Sequence, residues 1–244
     1  MHQLTPERRF AELVATEGSR PFVTYYNEAT GERSELSVRS LANWVAKTHH
    51  LLTDELGLGV GSTALVALPA HWISVPILLG CLTAGLALTD EPDADVAFVS
   101  EHTAPDAAGV LDVYAVATAS VAPMAAAQGF RGAEPADTQD YVVAVRPQGD
   151  AWAGVAMPAG PDDPCLPGLA RGAAVDAAAA RADELGLADG GRLLSTRDWT
   201  SPADWVDAVL TPLVVGGSLV IVRNAGDDVI DRRVQQERAT ALLR

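Results

Sequence analysis

Apolar and polar positions along the chain repeat one order of segments twice. Each copy begins with a helical pattern that ends in Glu-Leu-Gly-Leu, at residues 55–58 and again at residues 184–187. A glycine turn, an apolar strand, a tryptophan, an apolar helix, a second glycine turn and another strand then follow in the same order. Parallel neighbours need a long crossover between them, and helices supply it. The pattern therefore predicts an α/β fold of mostly parallel sheets with helices on both faces, built from two similar strand-helix-strand modules.

We interpret residues 1–244 as one domain, with the first module at about residues 37–150 and the second at about residues 169–244. A chain of 244 residues can bury a substantial core. Alternation through residues 21–36 predicts a hairpin outside the two modules, and Ser37 is placed to cap the helix that follows it.

The remaining elements are predicted from shorter patterns. Module strands are predicted at residues 63–68, 86–89, 193–196 and 218–222. Further short strands are predicted at residues 95–99, 110–117 and 141–145. Residues 158–168 are rich in Pro, Gly and Asp and predict a loop, whereas residues 229–243 predict a helix with a strongly polar face.

Charge excludes two classes of partner. The formal net charge is -15 and the pI is near 4.6, which argues against nucleic acid and against an anionic membrane surface. Residues 1–10 are too charged for a secretion signal. The longest apolar run, residues 75–88, is shorter than the ~20 residues that a bilayer demands. We therefore expect a cytoplasmic protein.

Motifs in both modules carry a family resemblance. The first module contains Glu55-Leu56-Gly57-Leu58, the strand Ala64-Leu65-Val66-Ala67-Leu68-Pro69 and Leu82-Thr83-Ala84-Gly85. The second contains Glu184-Leu185-Gly186-Leu187, Gly191-Arg192-Leu193-Leu194-Ser195-Thr196 and Leu213-Val214-Val215-Gly216-Gly217-Ser218-Leu219-Val220. These stretches resemble the AMP-binding enzymes, which are the acyl-CoA synthetases, adenylation domains and luciferases. The chain resembles the first part of their large N-terminal domain, and also a group of short relatives found in high-GC bacteria.

The resemblance implies a phosphate loop before the second module, and this sequence departs from it. The family has a Ser/Thr/Gly-rich segment ending in Pro-Lys-Gly that grips the ATP phosphates. This chain has Asp162-Asp163-Pro164 and further prolines in that place. Carboxylates repel a triphosphate, and prolines lack the N–H donor. Arg171 is a weak candidate to replace the lysine as a phosphate ligand; the alternative is an arginine that is solvated or paired at a helix start.

The family's catalytic groups also lack counterparts here. Lys47 is the only lysine, and it lies on the first amphipathic helix, far in sequence from the phosphate loop. The aromatic-Gly-x-Thr-Glu motif, the ribose-binding aspartate and the mobile C-terminal domain of the family are not found in the sequence. The residues therefore favour a protein that is not an enzyme, with no catalytic residue and no cofactor.

A candidate ligand site follows from position. Open α/β sheets bind ligands beyond the carboxyl ends of their strands. His71 and Trp72 follow the first module strand, and Arg197 after the second could bind a carboxylate bidentately. The alternative is that Arg197 pairs with Asp198 or Asp204 and that the tryptophans pack inside. The full set of candidate ligand-binding residues is His71, Trp72, Ser195, Thr196, Arg197, Asp198 and Trp199.

Metal and nucleophile chemistry have little support. The five histidines are scattered, and the adjacent His49 and His50 project about 100° apart on a helix, so they cannot share one ion. No Gly-x-Ser-x-Gly motif occurs. Cys81 and Cys165 lie in unrelated surroundings, and nothing in the sequence supports a disulfide between them. We expect no metal site.

Three hypotheses of function remain open. The first is a non-catalytic, truncated relative of the AMP-binding enzymes that acts as a scaffold; self-association as a homo-oligomer, or a protein partner, would cover the apolar face left by the missing half-domain. The second is a protein that binds an acyl, aryl or nucleotide ligand without turnover. The third is a half-enzyme for adenylation that a separate chain completes in trans.

Overall fold

Two five-stranded sheets form the framework of the structure, a computed structural model that describes residues 4–119, 124–151 and 158–244. Its strands are β1 (Pro21–Asn27), β2 (Glu32–Ser37), β3 (Thr63–Ala67), β4 (Ala87–Thr89), β5 (Val96–Ser100), β6 (Asp112–Val116), β7 (Gln139–Asp140), β8 (Pro164–Leu166), β9 (Leu169–Ala170), β10 (Arg192–Ser195), β11 (Ser218–Arg223) and β12 (Ala241–Leu243). Its α-helices are α1 (Pro6–Glu17), α2 (Val38–His50), α3 (Ser74–Ala84), α4 (Tyr141–Val145), α5 (Arg171–Leu185), α6 (Pro202–Trp205), α7 (Thr211–Val214) and α8 (Asp227–Glu237). One π-helical segment, Leu51–Glu55, extends α2, and another, Val206–Leu210, joins α6 to α7.

The first sheet belongs to the first module. Its strand order is β4-β3-β5-β6-β7, and every neighbouring pair in it is parallel. Helix α3 connects β3 to β4 and ends at Gly85, whose φ of 94° lies in the left-handed region that glycine adopts at little cost. The predicted parallel sheet with crossover helices is confirmed.

The second sheet combines the second module with the N-terminal hairpin. Its order is β12-β10-β11-β1-β2, and only the β1–β2 pair is antiparallel. Strand β1 lies beside β11, with Val23 opposite Leu219. The predicted hairpin is therefore confirmed, and so is the cap, because the Ser40 N–H donates to Ser37 Oγ at 3.2 Å.

The internal repeat is longer than the sequence pattern indicates. In the first sheet β3 lies between β4 and β5, and in the second sheet β10 lies between β11 and β12. Residues 229–243 were predicted as one helix, and this prediction is wrong for the last part. Helix α8 ends at Glu237, the next residue, Arg238, caps it with a φ of 51°, and residues 241–243 pair with β10. Ala241 and Leu243 are buried there, which the polar helix would not have allowed.

Two other local predictions are wrong. Residues 141–145 form helix α4, not a strand, because the Asp140 carboxylate accepts from the N–H groups of Val142 and Val143 and so begins a helix. Residues 158–168 are not wholly a loop, because β8 pairs with β9 across a turn at Gly168, whose φ is 69°. Cys165 and Leu166 of β8 are buried, and this burial holds the small hairpin against the core.

Three apolar clusters follow from the period-two alternation of the strands. The largest cluster contains helices α2, α3 and α5 together with one face of each sheet, including Phe98 and Ile221. The opposite face of the second sheet packs against α8. The opposite face of the first sheet forms a smaller cluster around Leu65 and Val99. Successive strand residues point to opposite faces, so apolar strands covered on both sides supply two cores at once.

Candidate functional site

The carboxyl ends of β3 and β10 meet in the structure. The Ala70 N–H, three residues after β3, donates to Asp198 Oδ1 at 3.2 Å, and Asp198 lies three residues after β10. The segments that follow one strand of each sheet are thus joined by a hydrogen bond. Residues 68–69, which precede the candidates His71 and Trp72, and the candidates Asp198 and Trp199 line one cavity.

This cavity, which we name the interstrand cleft, has a volume of about 450 Å³. Its floor includes residues 65–69, and Trp199 and Trp205 form an aromatic wall. Polar groups come from the ends of β4, β5 and β6 and from the segment after β10. These polar lining residues are Asp90, Ser100, His102, Thr103, Asp106, Thr118, Asp198, Thr200 and Ser201.

Asp198 fixes one wall of the cleft. Besides the bond from Ala70, its Oδ1 accepts from the Trp199 N–H at 3.0 Å, and its Oδ2 lies 2.6 Å from Arg223 Nη2 at the end of β11. The Arg223 guanidinium also donates to the Thr196 carbonyl at 3.0 Å. The Asp198 carboxylate therefore holds the wall of the cleft in place, and its negative charge is paired with Arg223.

Arg197 points away from the cleft. Its Nη1 lies 2.9 Å from Asp207 Oδ2 and 3.7 Å from Asp204 Oδ1, and its other nitrogens donate to the Arg244 carbonyl. Asp204 is one of the two partners that the sequence offered as an alternative. The guanidinium ties the end of β10 to the helical segment after it, so it does not face a ligand in the cleft.

His71 and Trp72 lie in the interior and do not line the cleft. His71 is 2% exposed, and its Nδ1 accepts from the Ile73 N–H at 3.3 Å, so Nε2 carries the proton. That nitrogen faces Glu32 Oε2 at 4.0 Å, and the ring packs against Tyr25 with centroids 4.4 Å apart. Burial lowers the pKa of His71 to about 3, so the contact with Glu32 is not an ion pair at neutral pH.

Ser195 and Thr196 lie at the carboxyl end of β10 and do not line the cleft. Ser195 is 1% exposed at the end of β10, and its hydroxyl has no partner among the residues that the structure describes. The Thr196 N–H donates to the Leu243 carbonyl at 2.9 Å, which continues the pairing of β10 with β12. Of the seven candidate ligand-binding residues, the structure brings Asp198 and Trp199 to the cleft and leaves the other five off its lining.

Arg171 is enclosed at the start of α5. Its guanidinium lies 3.0 Å from Glu7 Oε2 and donates to the carbonyls of Leu82 and Leu86 at 3.0 and 2.8 Å. Neither Arg171 nor Glu7 has exposed surface. The side chain therefore cannot reach a phosphate in solvent from this position.

Two backbone N–H groups at the start of α5 are also used by the chain itself. The Arg171 N–H donates to the Asp163 carbonyl at 3.0 Å, and the Gly172 N–H donates to the Pro161 carbonyl at 2.8 Å. A helix N-terminus binds phosphate through free N–H groups of this kind. The residues present here do not fit the triphosphate that the AMP-binding fold would imply.

Sequence reasoning missed most of the polar lining. Ser100 is the last residue of β5, and Asp90, Thr103, Asp106 and Thr118 follow β4, β5 and β6 closely in sequence. A polar residue directly after a buried parallel strand is the signal that could have found them. The sequence did not predict the strand order, which brings the carboxyl ends of these strands beside that of β3.

Within residues 4–119, 124–151 and 158–244, no three His, Cys, Asp or Glu side chains are grouped so that they could hold a metal ion. Cys81 and Cys165 are both buried and unpaired by a disulfide, and burial raises the pKa of each thiol, that of Cys165 to about 12. No helix in the described part of the chain is both long and apolar enough to span a bilayer.

Solved structures share this fold. A Brucella canis acyl-CoA synthetase matches with a TM-score of 0.77 at 15% identity, over 98% of this chain and 47% of that one. The anthranilate CoA ligase AuaEII, solved with anthranoyl-AMP, matches with a TM-score of 0.71 at 12% identity, over 99% and 49%. The chain thus spans about half the length of these enzymes. The predicted resemblance to the AMP-binding fold is confirmed at the level of the fold.

The sequence itself has a relative of the same size. A scan against protein-family models finds no match. A Mycobacterium tuberculosis protein described as a TIGR03089 family protein is 38% identical over 226 residues, which cover 91% of this chain and 91% of that protein. Identity at this level over nearly the whole of both chains shows common membership, and the chain therefore belongs to the TIGR03089 family.

Proposed function

We propose that the protein binds a small molecule in the interstrand cleft without turning it over. The observation that carries this proposal is the cleft itself, a cavity of about 450 Å³ at the carboxyl ends of parallel strands. Ligand pockets in proteins span about 300–1,000 Å³ and combine apolar walls with a few polar groups. The two tryptophans and the polar strand ends supply both.

The charges of the cleft define the class of ligand. No lysine or arginine occurs among the described residues that line it. Asp90 and Asp106 are exposed at its rim, and neither has an ion-pair partner within the described ranges, whereas Asp198 is paired with Arg223. A phosphate or carboxylate would be repelled there. The ligand is an uncharged or cationic molecule with an apolar ring that the tryptophans can contact.

The contacts at the start of α5 favour a function that does not include adenylation. Two N–H groups of the first turn already donate to the Asp163 and Pro161 carbonyls, and Arg171 is enclosed with Glu7. A half-enzyme completed in trans would need the same groups, so we do not propose that function.

A scaffold role remains a prediction with less support. It rests on a broad apolar face that a partner would cover. The large hydrophobic side chains that are exposed in the described part of the chain are Leu4, Val60, Leu111 and Val143. Four such side chains are ordinary for a protein surface and do not require a partner.

The experiment is a titration of the protein, labelled with ¹⁵N at the tryptophan indoles, with ligands of matched shape and different charge. Benzylammonium and benzyl alcohol are expected to shift the resonances of Trp199 and Trp205. AMP, ATP, CoA and an acyl-adenylate analogue are expected to leave both unshifted and to give no thermal stabilisation. A ligand at 100 times its dissociation constant would add about 2.7 kcal/mol.

Charge variants provide the control. Asp90→Asn and Asp106→Asn are expected to weaken benzylammonium binding severalfold and to leave benzyl alcohol binding unchanged. Asp93→Asn removes the same charge from an exposed position near Asp90 that does not line the cleft, and it is expected to change neither. Saturable ATP binding that shifts Trp199, or no shift with either ring compound, would refute the proposal.

A further inference from the structure

A second cavity lies beside helix α2 at the edge of the main core. Its volume is about 470 Å³, and it is separate from the interstrand cleft, because the two share no lining residue. The walls come from the end of β2, from α2, from the segment that starts at Met124 and from the end of α4. We call it the basic pocket; its lining residues are Glu35, Leu36, Ser40, Asn43, Trp44, Lys47, Met124, Ala127, Val145 and Arg146.

An anchored indole forms the apolar part of the pocket. Trp44 is half-buried, and its ring stacks on Tyr141 with centroids 6.3 Å apart and meets Trp72 edge-on at 6.2 Å. Tyr141 is fully buried and its hydroxyl lies 2.7 Å from Thr48 Oγ1. The ring is thus held by packing before any ligand arrives, so it can contact a planar molecule at little entropic cost.

Two cations of the pocket lack an acidic partner. Lys47 Nζ donates to the carbonyls of Arg146 and Gln148 at 3.1 and 2.7 Å, which leaves one of its three N–H groups. Among the residues that the structure describes, the Arg146 guanidinium makes one long contact, 3.5 Å to the Ala127 carbonyl. Within the described ranges neither side chain forms an ion pair. The carbonyl bonds hold the Lys47 ammonium against the backbone of residues 146 and 148, and both cationic side chains line the pocket.

The single carboxylate of the lining does not cancel these charges. Glu35 lies 2.6 Å from Arg33 Nη2 and accepts from Thr24 Oγ1 at 3.2 Å, so its charge is offset from outside the pocket. The pocket is therefore a local basic site in a chain whose net charge is -15. An acidic protein surface repels anions in general, so a basic cavity on it is selective for an anion that also fits its shape.

We propose that the basic pocket binds a small aromatic carboxylate. The remaining N–H of Lys47 and the planar donor fork of Arg146 are both suited to carboxylate oxygens, and Trp44 offers a surface for the ring. Ser40 and Asn43 add neutral polar groups on the α2 side. This site is independent of the ligand proposed for the interstrand cleft, which has the opposite charge preference.

The test uses benzoate, with benzyl alcohol and benzylammonium as comparators of similar size. Benzoate is expected to shift the Trp44 indole resonance saturably and to leave Trp199 and Trp205 unshifted. Benzyl alcohol is expected to bind at least about fivefold more weakly, the factor that corresponds to about 1 kcal/mol from an exposed charge pair. Benzylammonium is expected to leave the Trp44 resonance unchanged.

Three variants distinguish an effect of charge inside the pocket from an effect of the protein's net charge. Each of them makes the net charge more negative by one unit. Arg146→Gln and Asn43→Asp change exposed pocket residues and are expected to raise the dissociation constant of benzoate about fivefold. Arg131→Gln removes a charge from an exposed residue outside the lining and is expected to leave binding unchanged.

Three results would overturn the proposal: no saturable Trp44 shift with benzoate, equal affinity for benzyl alcohol, or equal weakening by Arg131→Gln and Arg146→Gln. Failure at Trp44 leaves the Trp199 and Trp205 titration intact, so the two proposals are tested separately.

Discussion

The Arg171 guanidinium lies 3.0 Å from the Glu7 carboxylate, and both side chains are wholly enclosed. The pair joins the start of α5 to the first turn of α1, and the bonds from Arg171 to the Leu82 and Leu86 carbonyls add the end of α3. Three segments that are far apart in sequence thus meet at one charged contact. A residue that the sequence offered as a phosphate ligand instead holds the helical layer together.

Arg171→Met is expected to destabilise the protein by about 3–5 kcal/mol, because it leaves the Glu7 carboxylate buried without its partner. Urea unfolding of the variant and the wild type measures the loss. Glu7→Leu in the same background is expected to recover part of it, since no uncompensated charge then remains. Strict additivity of the two single losses in the double variant would contradict this coupling.

Glu32→Gln is expected to stabilise the protein increasingly as the pH rises. Burial raises the pKa of Glu32 above its ordinary value of 4.5, against a smaller opposing effect of the hydrogen bond from Ser34. A carboxyl with a raised pKa contributes stability below the unfolded pKa and loses it as the pH rises through the folded pKa. Glutamine does not titrate and keeps an oxygen to accept the Ser34 hydroxyl, which lies 2.8 Å from Glu32 Oε1.

The measurement for Glu32 is the free energy of unfolding of both proteins between pH 4 and pH 8. The difference is expected to be smallest at the acid end and to level off above the folded pKa. A difference that does not change with pH would show that folding does not raise the pKa of Glu32.

Gly80→Ala is expected to cost about 1–2 kcal/mol, although alanine is the better helix former by about 1 kcal/mol. A Cβ at residue 80 of α3 would lie 2.5 Å from Thr48 Cβ and 2.6 Å from Thr48 Cγ2 on α2, so the two helices would have to separate. Thermal unfolding measures the effect. Gly132→Ala is the control, because a Cβ there would contact nothing within 4 Å; equal stability changes in the two variants would refute the close approach of the helices.

Asp140→Ala is expected to lose about 2 kcal/mol, more than an ordinary helix cap contributes. The carboxylate accepts from the Val142 and Val143 N–H groups through Oδ1 and from the Phe130 N–H at 2.7 Å through Oδ2. Asp140→Asn keeps one acceptor oxygen and is expected to lose less. A loss below about 0.5 kcal/mol for the alanine variant, the range of ordinary surface substitutions, would show that α4 does not depend on this cap.

The repeated order of segments was sufficient to predict the parallel sheets, because both copies contain strands, crossover helices and helix-ending glycines in the same order. The repeat did not predict segments whose amino-acid composition favours a different secondary structure from the one that they adopt. Residues 141–145 contain three valines and a tyrosine, which favour a strand, but the Asp140 cap and burial of Tyr141 select a helix. Residues 241–243 continue a helical pattern, yet the third strand of the repeat lies there.

The candidate site was predicted in part for a similar reason. Sequence position placed Asp198 and Trp199 correctly at the end of a strand, and the structure brings both to the cleft. His71 and Trp72 also follow a strand, β3, but their side chains turn inward. The segment between β3 and α3 is irregular, so no regular alternation of its side chains predicts their direction. Asp90 and Asp106 reach the cleft only through the strand order of the first sheet, which follows from tertiary packing.

The pairing of β1 with β11 has a consequence for biosynthesis. Val23 lies opposite Leu219, so nearly 200 residues must leave the ribosome before the hairpin finds its neighbour. At about 5–20 residues per second this interval is on the order of 10–40 s. During that time the free edge of β1 is open to other nascent chains. The first module can complete its own five-stranded sheet meanwhile, so we expect its amides to gain protection from hydrogen exchange before those of the hairpin.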